Sequence, residues 1–257
     1  MNKINTDVNY RTMAGNARLV MLGESSHSAA GYKYEAIKAI RQLKAAGFTH
    51  FAIEMLPSSM QEKIELYQRT GKGFNIIQQY FDKYWTHGDF TPQAYGELVK
   101  AARNAGMKIV ALDVSVETME VMDSVCPSTK AVTGECFDAH TFRNDLWAYN
   151  LATILKRAKQ NKIVAFMSRW HAVKNLKYQI GIDSLIKEHG IQNVRFIDFI
   201  GGLSCYSDRP CKGMSSQQET LKGQYFYKEG FPYESTVKSF QVHLPEKRIN
   251  NDGSFQW

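Results

Sequence analysis

No apolar run in the 257 residues approaches the roughly 18 that a membrane-crossing helix needs, so no transmembrane segment is expected. No block of Lys or Arg stands out either. The 32 basic residues exceed the 25 acidic ones and give a net charge of +7, but they are scattered and not interleaved with aromatics. That charge suits an anionic surface and leaves no nucleic-acid footprint. The opening stretch "MNKINTDVNYRTMAGNARL" lacks the apolar core of an export signal. The chain is then expected inside the cell unless a leader has been removed. No internal repeat, low-complexity tract or linker breaks it up. One domain over residues 1–257 is expected, with its core over 17–202 and a covering segment over 203–257. Self-contained metal signatures are missing as well: there is no H-E-x-x-H, and no cysteine pair is spaced C-x2-C or C-x4-C.

Cysteine itself is scarce, with four in the chain. Cys126 and Cys136 bracket "PSTKAVTGE", and Cys205 and Cys211 bracket "YSDRP". Both loops are short and rich in turn formers, as small local disulfides would be; four unrelated thiols are the alternative. If the bridges form, the protein matures in an oxidising compartment, exported or periplasmic.

A hydrophobic content of 44% is enough to bury a full core. Five short, nearly continuous apolar segments recur: "ARLVMLG" (17–23), "THFAIEM" (49–55), "KIVALDV" (108–114), "KIVAFMS" (162–168) and "VRFIDFIGG" (194–202). Buried parallel strands read this way. Helical patterns lie between them at 31–46, 59–69, 74–84, 91–105, 140–160 and 174–189. The alternation predicts an α/β fold, with a mostly parallel central sheet flanked by helices. From Ser204 the alternation fades into an irregular, Tyr-, Gly- and Lys-rich segment with one late strand candidate, "SFQVHLP".

In such sheets ligands bind beyond the carboxyl ends of the strands. Glu24, Ser25, Ser26 and His27 follow the first strand, and Glu54 ends the second. Asp113 ends the third, Ser168, Arg169 and His171 follow the fourth, and Asp198 lies on the fifth. Singly, each has an ordinary structural use: Glu24 as a helix cap, His27 as a hydrogen-bonded core histidine, Glu54 in a rim ion pair. Jointly they favour a site, because independent structural uses do not predict polar residues at the same end of strand after strand. Asp113 and Asp198 are the weakest members, since acidic residues at strand ends often cap helices. One helix adds Arg143, Trp147 and Asn150 at i, i+4 and i+7, with Leu146, Leu151, Ile154 and Leu155 facing the core. Such a stripe can clamp an anion, or be a solvated arginine beside a packing tryptophan. His140, one turn earlier, reads as a surface residue.

These elements carry a resemblance. "LGESSH", "GFTHFAIEM", "YW" at 84–85, "AARNAGMKIVALDV", "FRNDLWAYNLATIL" and "KIVAFMSRWHA" occur in that order. Residues 17–200 thereby resemble the superfamily joining erythromycin esterases, the haem-uptake protein ChaN and the TIKI metalloproteases. The resemblance implies Glu24, His27, Glu54, Arg143 and His171 as shared site residues. Ser168 stands where much of that superfamily has Gly, followed by bulky Arg169 and Trp170, and Ser28 stands where the esterases usually have Gly. Both departures leave the site residues in place and change the surroundings of the substrate.

The residues permit a hydrolase acting on an ester or amide bond of a small-molecule or peptide substrate. His27 is the base, Glu24 orients it, Glu54 holds water or a metal, His171 is a second base or ligand, and Arg143 stabilises an oxyanion. The two histidines and two glutamates can alternatively hold a divalent metal such as zinc or manganese. Ser25 and Ser26 read as turn and cap residues, because G-E-S-S-H is not the G-x-S-x-G elbow. The second class is a haem- or ligand-binding protein of the ChaN type, in which Tyr225, Tyr227 or Tyr233 beside Phe226 reaches a haem iron.

Overall fold

The computed structural model describes residues 4–126, 136–173, 179–206, 209–214, 223–230 and 234–246. Its framework is an eight-stranded sheet whose strands lie side by side in the order 4–5, 226–229, 238–244, 194–201, 19–24, 163–168, 50–57 and 108–113. The five expected strands are β2 (Leu19–Glu24), β3 (His50–Pro57), β4 (Lys108–Asp113), β5 (Ile163–Ser168) and β6 (Val194–Gly201). They are contiguous and mutually parallel. The "SFQVHLP" segment is β10 (Lys238–Leu244), which extends the parallel array by pairing with β6. β9 (Phe226–Glu229) and β1 (Ile4–Asn5) then close that side antiparallel.

Alternation along the strands supplies two cores. Val20, Leu22, Phe51, Ile53, Val164 and Phe166 face α1 (Tyr10–Ala14), α2 (Ala30–Ala45), α3 (Gln61–Thr70), α4 (Phe74–Tyr84) and α5 (Thr91–Asn104). Leu19, Met21, Ala52, Ile163, Ala165 and Met167 face the other way, under α7 (Phe137–Arg157) and α9 (Ile182–Glu188). Between β4 and α7 runs α6 (Val116–Val125), none of whose residues is buried. Residues 174–178 of the helix expected over 174–189 lie outside the described residues, and the described helix there, α9, begins at Ile182.

The C-terminal segment is more regular than its sequence suggests. Besides β9 and β10 it forms a hairpin of β7 (Leu203–Tyr206) and β8 (Arg209–Gly213). Cys205 and Cys211 are bonded across that hairpin with Cα atoms 4.2 Å apart, and Cys126 and Cys136 are bonded at 5.7 Å. Both expected pairings are present. No helix among the described residues is long and apolar enough to cross a membrane.

Candidate active site

Strand order sets the site. β5 lies between β2 and β3, so the residues following it fall between Glu24 and Glu54. Glu24 ends β2 and is buried. Its Oε1 accepts from the Tyr95 hydroxyl at 2.6 Å and from His27 Nδ1 at 2.7 Å, while its Oε2 lies 2.5 Å from Lys33 Nζ. Lys33, wholly buried, also donates to the His27 carbonyl at 2.7 Å. Burial alone would raise the Glu24 carboxyl, but Lys33 and then His27 overrule it and hold it below its ordinary value. Burial would lower His27, and the Glu24 charge outweighs it, so the imidazole is raised. A carboxylate only accepts, so Nδ1 carries the His27 proton and Nε2 is the basic nitrogen of the neutral ring. Trp85 and His87 flank that ring, with centroids 5.2 and 5.4 Å away.

Glu54 depends on an irregularity in β3. Ile53 pairs with Ala111 but Pro57 with Asp113, so the strand bulges between them and its register with β5 ends at Ile53. Glu54 sits at the start of that bulge, and its Oε2 accepts from the Ser168 N–H at 2.6 Å. Burial raises Glu54 more than His27, Arg143 and this hydrogen bond lower it. His171, on the short helix α8 (Arg169–Ala172), brings Nε2 to 3.7 Å from Glu54 Oε1. Its Nδ1 is 2.7 Å from Asn144 Oδ1, and the Asn144 amide donates to the Ile180 carbonyl at 2.8 Å. A carbonyl cannot donate, so the amide orientation is fixed; Oδ1 must then receive the His171 Nδ1 proton. Nε2 thus presents a lone pair to Glu54. Burial, then Arg143, His140 and His27, hold His171 well below the ordinary histidine value.

Arg143 reaches the same crevice on a tether. Its Nε and Nη2 donate to Asp113 at 2.8 and 2.6 Å, and its guanidinium lies over the Trp147 ring at 4.7 Å. Nη1 has no hydrogen-bond partner among the described residues. Asp113 is therefore the positioning group of Arg143. Asp198 likewise pairs with Arg169 at 2.8 Å and accepts from Gln241 at 3.0 Å, and burial pushes its carboxyl up to about 7 despite both. Asn150, placed beside Arg143 by spacing, has no part in this geometry; the buried face of α7 is Asn144, Trp147, Ala148, Leu151, Ala152 and Leu155.

The serines of "GESSH" serve the turn. Ser25 donates to the Tyr32 hydroxyl at 2.8 Å, Ser26 bonds Ser28 at 2.7 Å, and Ser28 bonds Ser204 of the disulfide hairpin at 2.5 Å. Gly23 is required by a close approach: a Cβ there would stand 2.5 Å from the Phe196 ring of β6 and 3.3 Å from the Arg169 Cα. Gly88 is wedged similarly, with the Cys205 and Ser28 carbonyls each 2.8 Å from where its Cβ would be. The hairpin thus covers the turn that carries His27 and the loop that carries His87.

Residues 12–124 match the family model described as haem-binding uptake, Tiki superfamily, ChaN. The chain resembles the ChaN and Tiki superfamily. Glu24, His27, Glu54 and Asp113 lie within the match, and Arg143 and His171 beyond it. An erythromycin esterase, EreC, in its open conformation superposes with a TM-score of 0.60 over 92% of each chain at 10% identity. The type III effector HopBA1 does so at 0.59 over 96% of this chain and 97% of that one, at 14% identity. ChaN of Campylobacter jejuni, with cofacial heme binding, gives 0.55 over 91% and 89% at 14% identity. These likenesses are of fold. No curated protein sequence matches significantly.

The haem-type tyrosines sit elsewhere. Tyr225 donates to Glu35, accepts from Lys38 at 2.5 Å, and is raised far above an ordinary phenol by burial and then by Glu35. The Tyr227 hydroxyl accepts from Asn5 at 3.1 Å, and Tyr233 lies outside the described residues. The Tyr225 hydroxyl is thus already engaged by Glu35 and Lys38. Tyr225 instead lines a cavity of about 560 Å³ with Glu35, Lys38, Arg41 and Leu244, on the face of α2 away from His27.

Lys33, Tyr95 and His87 had no place in the sequence reading, and Asn144 entered it only inside the motif "FRNDLWAYNLATIL", with no role of its own. Lys33 and Asn144 left a signal: each is a polar residue inside an apolar stripe, Lys33-Ala36-Ile40 on α2 continuing back to its N-cap Ala29, and Asn144-Ala148-Leu151-Leu155 on α7. His87, on a loop, left none.

Proposed function

We propose that the crevice hydrolyses an ester or amide bond, with His27 as the general base for water. The observation that carries this reading is the opposed treatment of two imidazoles with fixed tautomers. His27 is bound to a buried carboxylate that raises its basicity, while His171 is bound to a neutral amide and held uncharged. His27 takes the water proton at Nε2, Glu24 stabilises the imidazolium, and the same proton passes to the leaving group. Arg143 Nη1, without a hydrogen-bond partner among the described residues, is the donor we assign to the oxyanion that develops. His171 Nε2 and Glu54 Oε1 are both acceptors, so the 3.7 Å between them suits a shared water or a divalent cation. The donor set fits such a cation, since a ligating histidine characteristically donates its other N–H to a fixed acceptor, here Asn144. When bound, the cation would supply Lewis acidity at a substrate carbonyl.

A panel of ester and amide substrates tests the proposal on wild type and His27→Ala. Turnover of at least one substrate is expected, abolished in His27→Ala while the melting temperature is retained. Wild-type turnover by His27→Ala would refute the role of His27.

A further inference from the structure

Apart from the Glu24, His27, Glu54 and His171 groups, Cys126, Cys136 and His140 form a cluster of side chains able to hold a metal ion. One ligand atom from each lies within 4.8 Å of the other two, and His140 Nε2 is 3.9 Å from the Cys126 sulfur. The arrangement is built by two helix ends. Cys126 caps the end of α6, Cys136 is the N-cap of α7, and the His140 N–H donates to the Cys136 carbonyl at 3.0 Å. His140 therefore stands one turn above Cys136 on the same helix face, an i, i+4 relation that a search for paired-cysteine spacings passes over. In the oxidised protein the two sulfurs are bonded to each other and neither is available as a thiolate.

We propose that reduction of the Cys126–Cys136 bond creates a soft-metal site of two thiolates and the His140 imidazole, suited to Zn²⁺. A trialkylphosphine supplies the two electrons: disulfide, phosphine and water give two thiols and the phosphine oxide. A divalent ion then displaces both thiol protons, which leave to solvent, and takes Nε2 of neutral His140 as its third ligand. Two sulfurs and one nitrogen are the donor set that zinc prefers, with a fourth position left for water. The site excludes the disulfide and depends on it: the bond holds the ligands together until reduction releases them.

The test uses Co²⁺ on the full chain, oxidised and phosphine-reduced. The reduced protein should bind one equivalent with a thiolate-to-cobalt charge-transfer band and the visible bands of a tetrahedral ion. The oxidised protein should show no charge-transfer band, and any Co²⁺ taken by the His and Glu groups of the crevice lacks that band for want of sulfur. Cys136→Ser should abolish the band. Altering an outer partner of a metal ligand already costs roughly 10–100-fold in affinity, so His140→Ala, which removes a ligand, should weaken binding at least as much. His140→Ala keeps all four cysteines, which separates this pair from Cys205 and Cys211 without removing a sulfur from either. An absent band in the reduced protein, or one unchanged by His140→Ala, would overturn the site.

Discussion

Lys33→Met probes the electrostatic foundation of the site. Lys33 and Glu24 are both fully shielded from solvent and 2.5 Å apart, so methionine fills most of the lysine volume and leaves Glu24 without its main counter-charge. Breaking one side of a buried pair costs about 3–5 kcal/mol, and the lost bond to the His27 carbonyl falls within the same change. Denaturant unfolding with the disulfides intact should read that loss as a lower midpoint. Adding Glu24→Gln to Lys33→Met should recover much of it, since glutamine still accepts from Tyr95 and His27 and carries no charge. Activity should not return with stability, because the imidazolium partner is gone. The sign with pH is also fixed. Glu24 is depressed in the folded protein, so its contribution is present above the ordinary glutamate value and lost as pH falls through the folded one. The gap between wild type and Lys33→Met should therefore narrow on acidification. A single-variant loss under about 1 kcal/mol, typical of an exposed pair, would refute a buried ion pair here.

The pH dependence of kcat/KM should show an acid limb above the ordinary histidine value, because the proposed base is His27 and its proton affinity is raised. A limb below that value would make His171 the base instead. Asn144→Asp places a charge beside His171 Nδ1, so NMR titration should show His171 taking up a proton at higher pH than in wild type; an unchanged titration would break the proposed Asn144 contact. Gly23→Ala should cost about 1–3 kcal/mol in denaturant unfolding, because its Cβ meets the Phe196 ring at 2.5 Å, and a neutral effect would show that the ring moves aside freely.

What the sequence made legible follows from where information is local. Strands buried on both faces must be continuously apolar, so β2 to β6 could be read from composition alone, and the residues ending them fell together once the strands proved to be parallel neighbours. β9 and β1 escaped because they are short, lie toward an edge and need no such run. On α7, the i, i+4, i+7 stripe through Arg143 drew in Asn150, whereas Asn144 lies in the buried stripe and orients His171.

That contrast shows how the fold divides the work. Strand ends deliver the acceptors Glu24, Glu54 and Asp113, whose positions sequence order reveals. Helices deliver the partners that set protonation: Lys33 and Tyr95 on Glu24, Arg143 on Asp113, and Asn144 on His171. A helix partner leaves a trace only when it interrupts an apolar stripe, because a polar side chain placed there loses its water and must find a hydrogen bond inside the protein. Lys33 and Asn144 meet that condition. Each acts on one of the two imidazoles, Lys33 through Glu24 and the His27 carbonyl, Asn144 directly on His171. The difference between the two imidazoles on which the proposed base rests is therefore set as much on α2 and α7 as at the strand ends: exchange the neutral amide of Asn144 for a carboxylate and the two histidines lose that difference.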